Sequence, residues 1–294
     1  MESFTLGFIG FGEAAYHIAK GLAETSKQHV AAFDVMAAKE PEGAKIRLRA
    51  QETGVALVDS LQQLIDVSNI ILCATSAKYA LSIAKEASEF LNVQKIYADL
   101  NSASPMVKRQ IAQIIDRTGA TFSDSAVMEI VPPHKHRVPI AASGSGAAAF
   151  AEKLNSIGMQ VTYINNEAGS SSSMKMFRSV FMKGLTSLMT ETFLAAYKMG
   201  VCDEVVESVS ATLRENSIEQ MANMLINRTA VAYERRISEM EDVAKTLQEL
   251  GIDPFASRST IERFSWMQDI GLKERLGGTV PDDFHKVLHV ALNS

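Results

Sequence analysis

Cysteine is scarce: Cys73 and Cys202 are the only two in 294 residues, and neither has a second Cys or a His nearby at metal-ligand spacing. That excludes a disulfide-stapled scaffold, and a reducing cytoplasm is the compartment that fits. Positive charge is not in surplus either. Lys and Arg number 29 against 34 Asp and Glu, a net charge of −5, so the basic footprint of a nucleic-acid binder is missing. Long hydrophobic runs are absent: the most apolar stretch, Met174 to Met199, is broken by Lys175, Arg178, Lys183, Glu191 and Lys198, and no segment reads as a membrane span. The amino end carries an acid at position 2 and glycines inside its first apolar run, unlike a signal peptide. Repeats, low-complexity tracts and charge blocks are also lacking. What is present is 47% hydrophobic against 21% charged residues, the balance of a globular chain long enough for about two domains.

The first 165 residues alternate short β-rich runs with segments of helical periodicity. Strands are expected at Thr5–Ile9, Val30–Phe33, Val55–Val58, Ile70–Ala74, Lys95–Ala98, Thr121–Ser123, Pro139–Ala142 and Gln160–Ile164. Strand and helix taking turns implies βαβ units, hence a Rossmann-type, doubly wound and mainly parallel α/β sheet. Beyond Asn166 the pattern becomes all-helical, with stops near Gly200, Gly251 and Gly277-Gly278. Gly169 and the four serines after it offer N-cap chemistry, and apolar residues then recur from Met174 to Ala196. A helix of that length, about 45 Å, outruns a small domain's own core and calls for a second packing surface, so a homodimer is expected. The division predicted is 1–166 as a dinucleotide-binding domain and 167–294 as an all-helical substrate and dimerisation domain.

Gly10-Phe11-Gly12-Glu13-Ala14-Ala15 follows the first strand and opens the first helix, the context in which G-x-G-x-x-A binds a dinucleotide. Gly10 allows the tight turn, Gly12 lets backbone approach a pyrophosphate, and Ala15 lets helix and strand pack closely. The N–H groups through Phe11, Glu13 and Ala14 then face the phosphates. Asp34 closes the second strand, where a carboxylate accepts the adenosine ribose hydroxyls and repels a 2′-phosphate, which favours NAD. Lys39, Lys45, Arg47 and Arg49 follow closely enough to leave NADP open. Thr75, Ser76 and Asn101 sit where the fourth and fifth strands hand over to helices, the edge at which such sheets bind ligands. Ser104 before Pro105 reads as a helix N-cap, and Cys73 as a core residue.

Three segments in order, residues 7–15, Asp99-Leu100-Asn101-Ser102-Ala103-Ser104-Pro105, and Gly169 through Lys175, resemble the β-hydroxyacid dehydrogenases. That family includes 3-hydroxyisobutyrate dehydrogenase, tartronate semialdehyde reductase and 6-phosphogluconate dehydrogenase. The resemblance implies an NAD(P)-dependent oxidoreductase of a small, carboxylate-bearing hydroxy acid or its keto or semialdehyde form. It assigns Lys175 as the catalytic residue and Ser102 to the nicotinamide edge. Two departures stand out. Where the family has a Ser-Gly-Gly carboxylate cradle, this chain has Met128-Glu129-Ile130, and Ser179 stands where the family has Asn. His134-Lys135-His136-Arg137 and the segment from Arg235 to Gly251 are similar to a branch whose C-terminal domain is known only as 6-phosphogluconate dehydrogenase-like.

Lys175 near the start of a long helix is expected to have a lowered pKa, through the helix dipole and partial burial, and so to exchange a proton near neutrality. Arg178 and Ser179 share its helical face, Arg178 to pair with a substrate carboxylate or phosphate and Ser179 to bond the substrate hydroxyl. Met128 and His134 are further candidates for the substrate pocket; Pro132-Pro133 places the two histidines in a turn, and two His without a third ligand make no metal site. Two other readings remain open. One is imine reduction, or coupled oxidation and isomerisation, on the same scaffold. The other is a protein that senses a dinucleotide without turning it over.

Overall fold

β1 (Thr5–Ile9) leads through a glycine turn into α1 (Glu13–Thr25), then β2 (His29–Phe33) and α2 (Glu42–Thr53). The short β3 (Ala56–Leu57), α3 (Leu61–Val67) and β4 (Ile70–Cys73) follow. A 3-10 turn at Ala77–Tyr79 precedes α4 (Ala80–Ala87), β5 (Ile96–Asp99) and α5 (Pro105–Asp116). β6 (Thr121–Val127), α6 (Val131–His134), β7 (Pro139–Ser143), α7 (Ala147–Ser156) and β8 (Gln160–Asn165) complete the alternation. The structure, a computed structural model, describes residues 4–26 and 28–293. Met1, Glu2 and Ser3, part of the amino end expected to be unlike a signal peptide, lie outside the described residues.

Among the described residues the strands form one sheet in the order β3-β2-β1-β4-β5-β6-β7-β8, parallel except where β6 meets β7. The order reverses between β1 and β4, which opens a crevice at the carboxyl edge there. Strand residues alternate between two buried faces, as a sheet covered on both sides requires. Leu6, Phe8, Ile70, Leu72 and Ala98 pack with Ile18 and Leu22 of α1 and Phe150 of α7. Ile9, Ile71, Cys73, Tyr97 and Phe122 pack on the other face with Leu64 of α3, Ala84 of α4 and Ile111 of α5.

Two local features differ from expectation. β6 runs on to Val127 because antiparallel pairing with β7, from Asp124 opposite Ser143 to Val127 opposite Ile140, extends it through residues of poor β-propensity. The Pro132-Pro133 segment is a helical turn followed by a 3-10 turn at Lys135–Arg137; proline suits a helix's first positions, where its missing N–H has no partner to lose.

α8 spans Ser170–Met199, and α9 (Cys202–Glu215), α10 (Ile218–Glu249), α11 (Phe255–Asp269), α12 (Leu272–Arg275) and α13 (Phe284–Leu292) follow. The chain divides into two compact units, one running to Arg178 and one starting at Ser179, so the opening turns of α8 belong with the sheet. The second unit gathers around Ala230, Tyr233, Leu272, Leu276 and Val287. Along α8, Val180 is 70% and Tyr197 79% exposed, with Phe181, Leu188 and Leu194 also exposed. No described helix is long and apolar enough to cross a membrane. The architecture is a Rossmann-type doubly wound sheet followed by helices.

Candidate functional site

The crevice begins at the turn after β1. Gly10 has φ +84°, a left-handed conformation, and a Cβ on it would lie 2.6 Å from Thr75 Cγ2 and 2.8 Å from the Ala74 carbonyl oxygen. Gly12 caps α1 without any side-chain hydrogen bond, and a Cβ built on it meets nothing within 4 Å. A glycine is needed here only if something outside the chain approaches the backbone, and the unsatisfied N–H groups of a helix start suit an anion. This turn therefore fits a dinucleotide's pyrophosphate.

A cleft of about 710 Å³ opens over it, and Gly10, Gly12, Glu13, Ala14, Asp34, Thr75 and Ser76 all line it. Met36, Lys39 and Tyr79 line it too. Asp34 is held at the cleft by two backbone N–H donors, Phe11 to Oδ2 at 2.8 Å and Met36 to Oδ1 at 2.9 Å. Phe11 itself departs from the expected role. Its ring is fully buried against Phe8, and its N–H is engaged by Asp34. Asn101 serves as a bracket: its Oδ1 accepts the Thr75 N–H at 2.7 Å, and its Nδ2 donates to Asp99 Oδ1 at 2.5 Å, which ties the ends of β4 and β5 together.

A second cavity of about 620 Å³ shares Glu13, Ala14, Ala74 and Thr75 with the cleft. Asn101, Ser102 and Lys175 line it, and Lys175 Nζ donates to Ser102 Oγ at 3.1 Å. Burial, and secondarily the charge of Lys108, pushes the Lys175 pKa below its ordinary value. Lys175 stands in the second turn of α8, beyond the first turn over which a helix's terminal field falls off.

The other expected substrate residues are placed differently. Val127, Glu129 and Ile130 line the cavity as the chain bends after β6, while Met128 is half-buried off its wall, its N–H bonded to the Pro139 carbonyl. Arg178 is exposed and paired with Glu129 at 3.5 Å, outside the lining. His134 is exposed just past Pro133, the last lining residue of that turn. Ser179 is half-buried and opens the second unit. Among the described residues no group of three or more His, Cys, Asp or Glu is placed to hold a metal ion. Cys73 is buried, its thiol pushed up to about 11 by burial and by Asp99.

One cluster went unnoticed in the sequence. Lys108 of α5 is completely buried, 3.1 Å from Asp99 Oδ2 and 3.2 Å from Asp124 Oδ1, and it donates to the Asp99 carbonyl at 2.6 Å. Asp124 in turn accepts the Ser172 N–H at 3.0 Å and its hydroxyl at 2.6 Å, while Ser143 Oγ accepts the Ser171 N–H at 3.0 Å. The start of α8 is thus capped by β6 and β7, not by its own serines. Burial holds the Asp99 pKa above its ordinary value despite Lys108. A signal existed: Lys108 sits three, four and seven residues before Ile111, Ala112 and Ile115, on the apolar stripe of α5.

Family models match two stretches. Residues 5–101 fit NADP oxidoreductase, coenzyme F420-dependent, and residues 196–267 fit a domain of unknown function, DUF1932. The solved structure of a conserved hypothetical protein from Sinorhizobium meliloti 1021 is 31% identical, covers 99% of this chain and 97% of its own, and has a TM-score of 0.66. A second, a conserved protein of unknown function described as structurally similar to 3-hydroxyacid dehydrogenases, is 29% identical, with 94% of this chain and 99% of that one covered and a TM-score of 0.63. The imine reductase BcSIRED from Bacillus cereus shares the fold at 17% identity, with 99% of each chain covered and a TM-score of 0.75. Fold and matches together define a pyridine-nucleotide-binding oxidoreductase fold. The chain belongs to the β-hydroxyacid dehydrogenase superfamily, in the branch whose 6-phosphogluconate dehydrogenase-like C-terminal part is DUF1932.

Proposed function

We propose that this protein catalyses NAD(P)-dependent hydride transfer at a carbon bearing oxygen or nitrogen in a small molecule, with Lys175 as general acid and base. The observation that carries this reading is the Lys175–Ser102 contact of 3.1 Å in a cavity that shares a wall with the cleft over Gly12. A bound nicotinamide supplies or accepts the hydride. Lys175 moves the proton: as a neutral amine it takes the proton of a hydroxyl undergoing oxidation, and as an ammonium it returns one during reduction. Ser102 orients the amine, and the α1 N–H groups and Asp34 hold the dinucleotide's phosphates and adenosine ribose. The Asp34 carboxylate favours NAD; Lys39, on the same wall, is the cation through which NADP remains the alternative.

The superfamily suggests a hydroxy acid, or its keto or semialdehyde form, as substrate. A carboxylate needs a counter-charge, however, and the expected one, Arg178, is paired with Glu129 outside the lining. The imine reading needs no such partner, and Glu129 on the cavity wall favours it as the second possibility. A panel of hydroxy acids, phosphorylated sugar acids and imines, followed at the nicotinamide absorbance band, tests the reading. Lys175→Ala should lower turnover about 10²–10⁴-fold while the dinucleotide still binds. In wild type, oxidation should rise with pH through the lowered lysine pKa and reduction should fall, because each direction needs the opposite protonation state. Equal turnover by the two proteins, or no turnover on any substrate class, would sink the proposal and leave a dinucleotide sensor. The exposed apolar residues of α8 further support a homodimer.

A further inference from the structure

The cavity beside Lys175 has an unusual charge balance for a site meant to hold an acid. Its charged lining residues are Glu13, Glu129 and Lys175. Among the described residues no arginine or histidine lines it. Glu129 stands in the segment where the superfamily's carboxylate cradle would be, and the bend of the chain after β6 leaves it, rather than Met128, on the wall. We propose that Glu129 is a specificity-determining residue that makes this cavity a site for a substrate bearing a cationic nitrogen, an ammonium or iminium group, and unfavourable for a carboxylate. The inference rests on the reading that substrate occupies the cavity next to Lys175.

Arg178 is the natural objection, since it faces Glu129 at 3.5 Å. Both side chains are about half exposed, and an ion pair in that setting contributes little, so either partner is free to exchange. What decides the outcome is which of the two a ligand meets. Glu129 lines the cavity and Arg178 does not. A cationic nitrogen inside reaches the carboxylate directly and leaves Arg178 to solvent. A substrate carboxylate would meet Glu129 first, and like charges at close range repel. Burial and Lys108 shift Lys175 toward its neutral form, so its help to an acid and its opposition to a cation are both reduced.

The test compares two probes that share one isobutyl group, isobutylammonium and isovalerate, binding to the protein loaded with reduced dinucleotide. The readout is fluorescence of the bound nicotinamide. Isobutylammonium should bind at least about tenfold tighter than isovalerate, a difference of about 1.4 kcal/mol. Glu129→Gln should erase that preference, and Arg178→Gln should preserve or strengthen it. The wild-type comparison needs no variant, so a misfolded variant cannot decide the matter. Tighter binding of isovalerate, lost in Arg178→Gln, would overturn the inference while the Lys175 reading stands. If neither probe perturbs the nicotinamide, substrate does not occupy this cavity, and both readings fall.

Discussion

The two units bury their apolar residues very differently. In the first, strand residues from Leu6 to Phe122 fill two continuous clusters, one on each face of the sheet. In the second, the cluster is five buried residues, Tyr233 among them, while Val180, Leu194 and Tyr197 lie open on α8. A parallel sheet can seal both faces with its own crossover helices. A long helix presents apolar positions over more turns than neighbours of ordinary length can cover, which leaves a surface suited to another protein chain.

The units nonetheless share one device, a buried carboxylate that caps a distant helix. Asp124 accepts from Ser172 at the start of α8, and Glu191 accepts the N–H groups of Ala256 and Ser257 at the start of α11 at 2.7 and 3.0 Å. The difference is the cation. Asp124 shares Lys108 with Asp99, whereas Glu191 is bound by N–H groups and the Ser257 hydroxyl. Low dielectric makes an uncompensated charge costly, so the paired site should be the more fragile when one member is lost.

The largest effect is accordingly expected at Lys108. Lys108→Met should lower unfolding free energy by about 3–5 kcal/mol in urea titrations, because two carboxylates would be left facing each other without a cation. Adding Asp99→Asn and Asp124→Asn should restore part of it; no recovery would mean that the lysine stem, not its charge, matters. Glu191→Ala should cost less, about 1–3 kcal/mol, since it leaves unpaired donors but no buried charge. A loss equal to that at Lys108 would erase the contrast between the units. Val180→Asp with Tyr197→Asp should shift stability by no more than about 0.5 kcal/mol in the isolated chain, as surface changes do. The same pair should bring the scattering mass from twice 32.0 kDa to that of one chain. A wild-type mass of one chain at micromolar concentration would remove the dimer. The smallest change in stability is expected at Asp34: Asp34→Ser should leave stability unaffected and weaken NAD relative to NADP about tenfold, and unchanged selectivity would take Asp34 off the ribose.

Much of the sheet was legible because its signals are local. The first strand was expected and found at Thr5–Ile9, and α8 ends at Met199, just before the glycine expected to stop it. The turn at Gly10 and Gly12 could be read in the same way, since chirality and steric room at one residue do not depend on remote parts of the chain. The cavity wall was less legible. Met128 and Glu129 are neighbours in sequence, and only the bend that follows the end of β6 settles which of them faces the cavity. Phe11 was expected at the phosphates through its N–H, and only the tertiary structure brings the Asp34 carboxylate onto that N–H while the ring anchors the core.

Periodicity and glycine turns by themselves determined the doubly wound fold, its helical continuation and the glycine turn beneath the cleft, because each reflects the preferences of residues close along the chain. Only the tertiary structure decided that Lys108 would lie between two aspartates, that Asp124 would cap α8, and that Glu129 rather than Arg178 would line the cavity with Lys175. Those pairings join segments far apart in sequence, and their energies depend on burial and on distances of a few ångströms that exist only once the strands have taken their order.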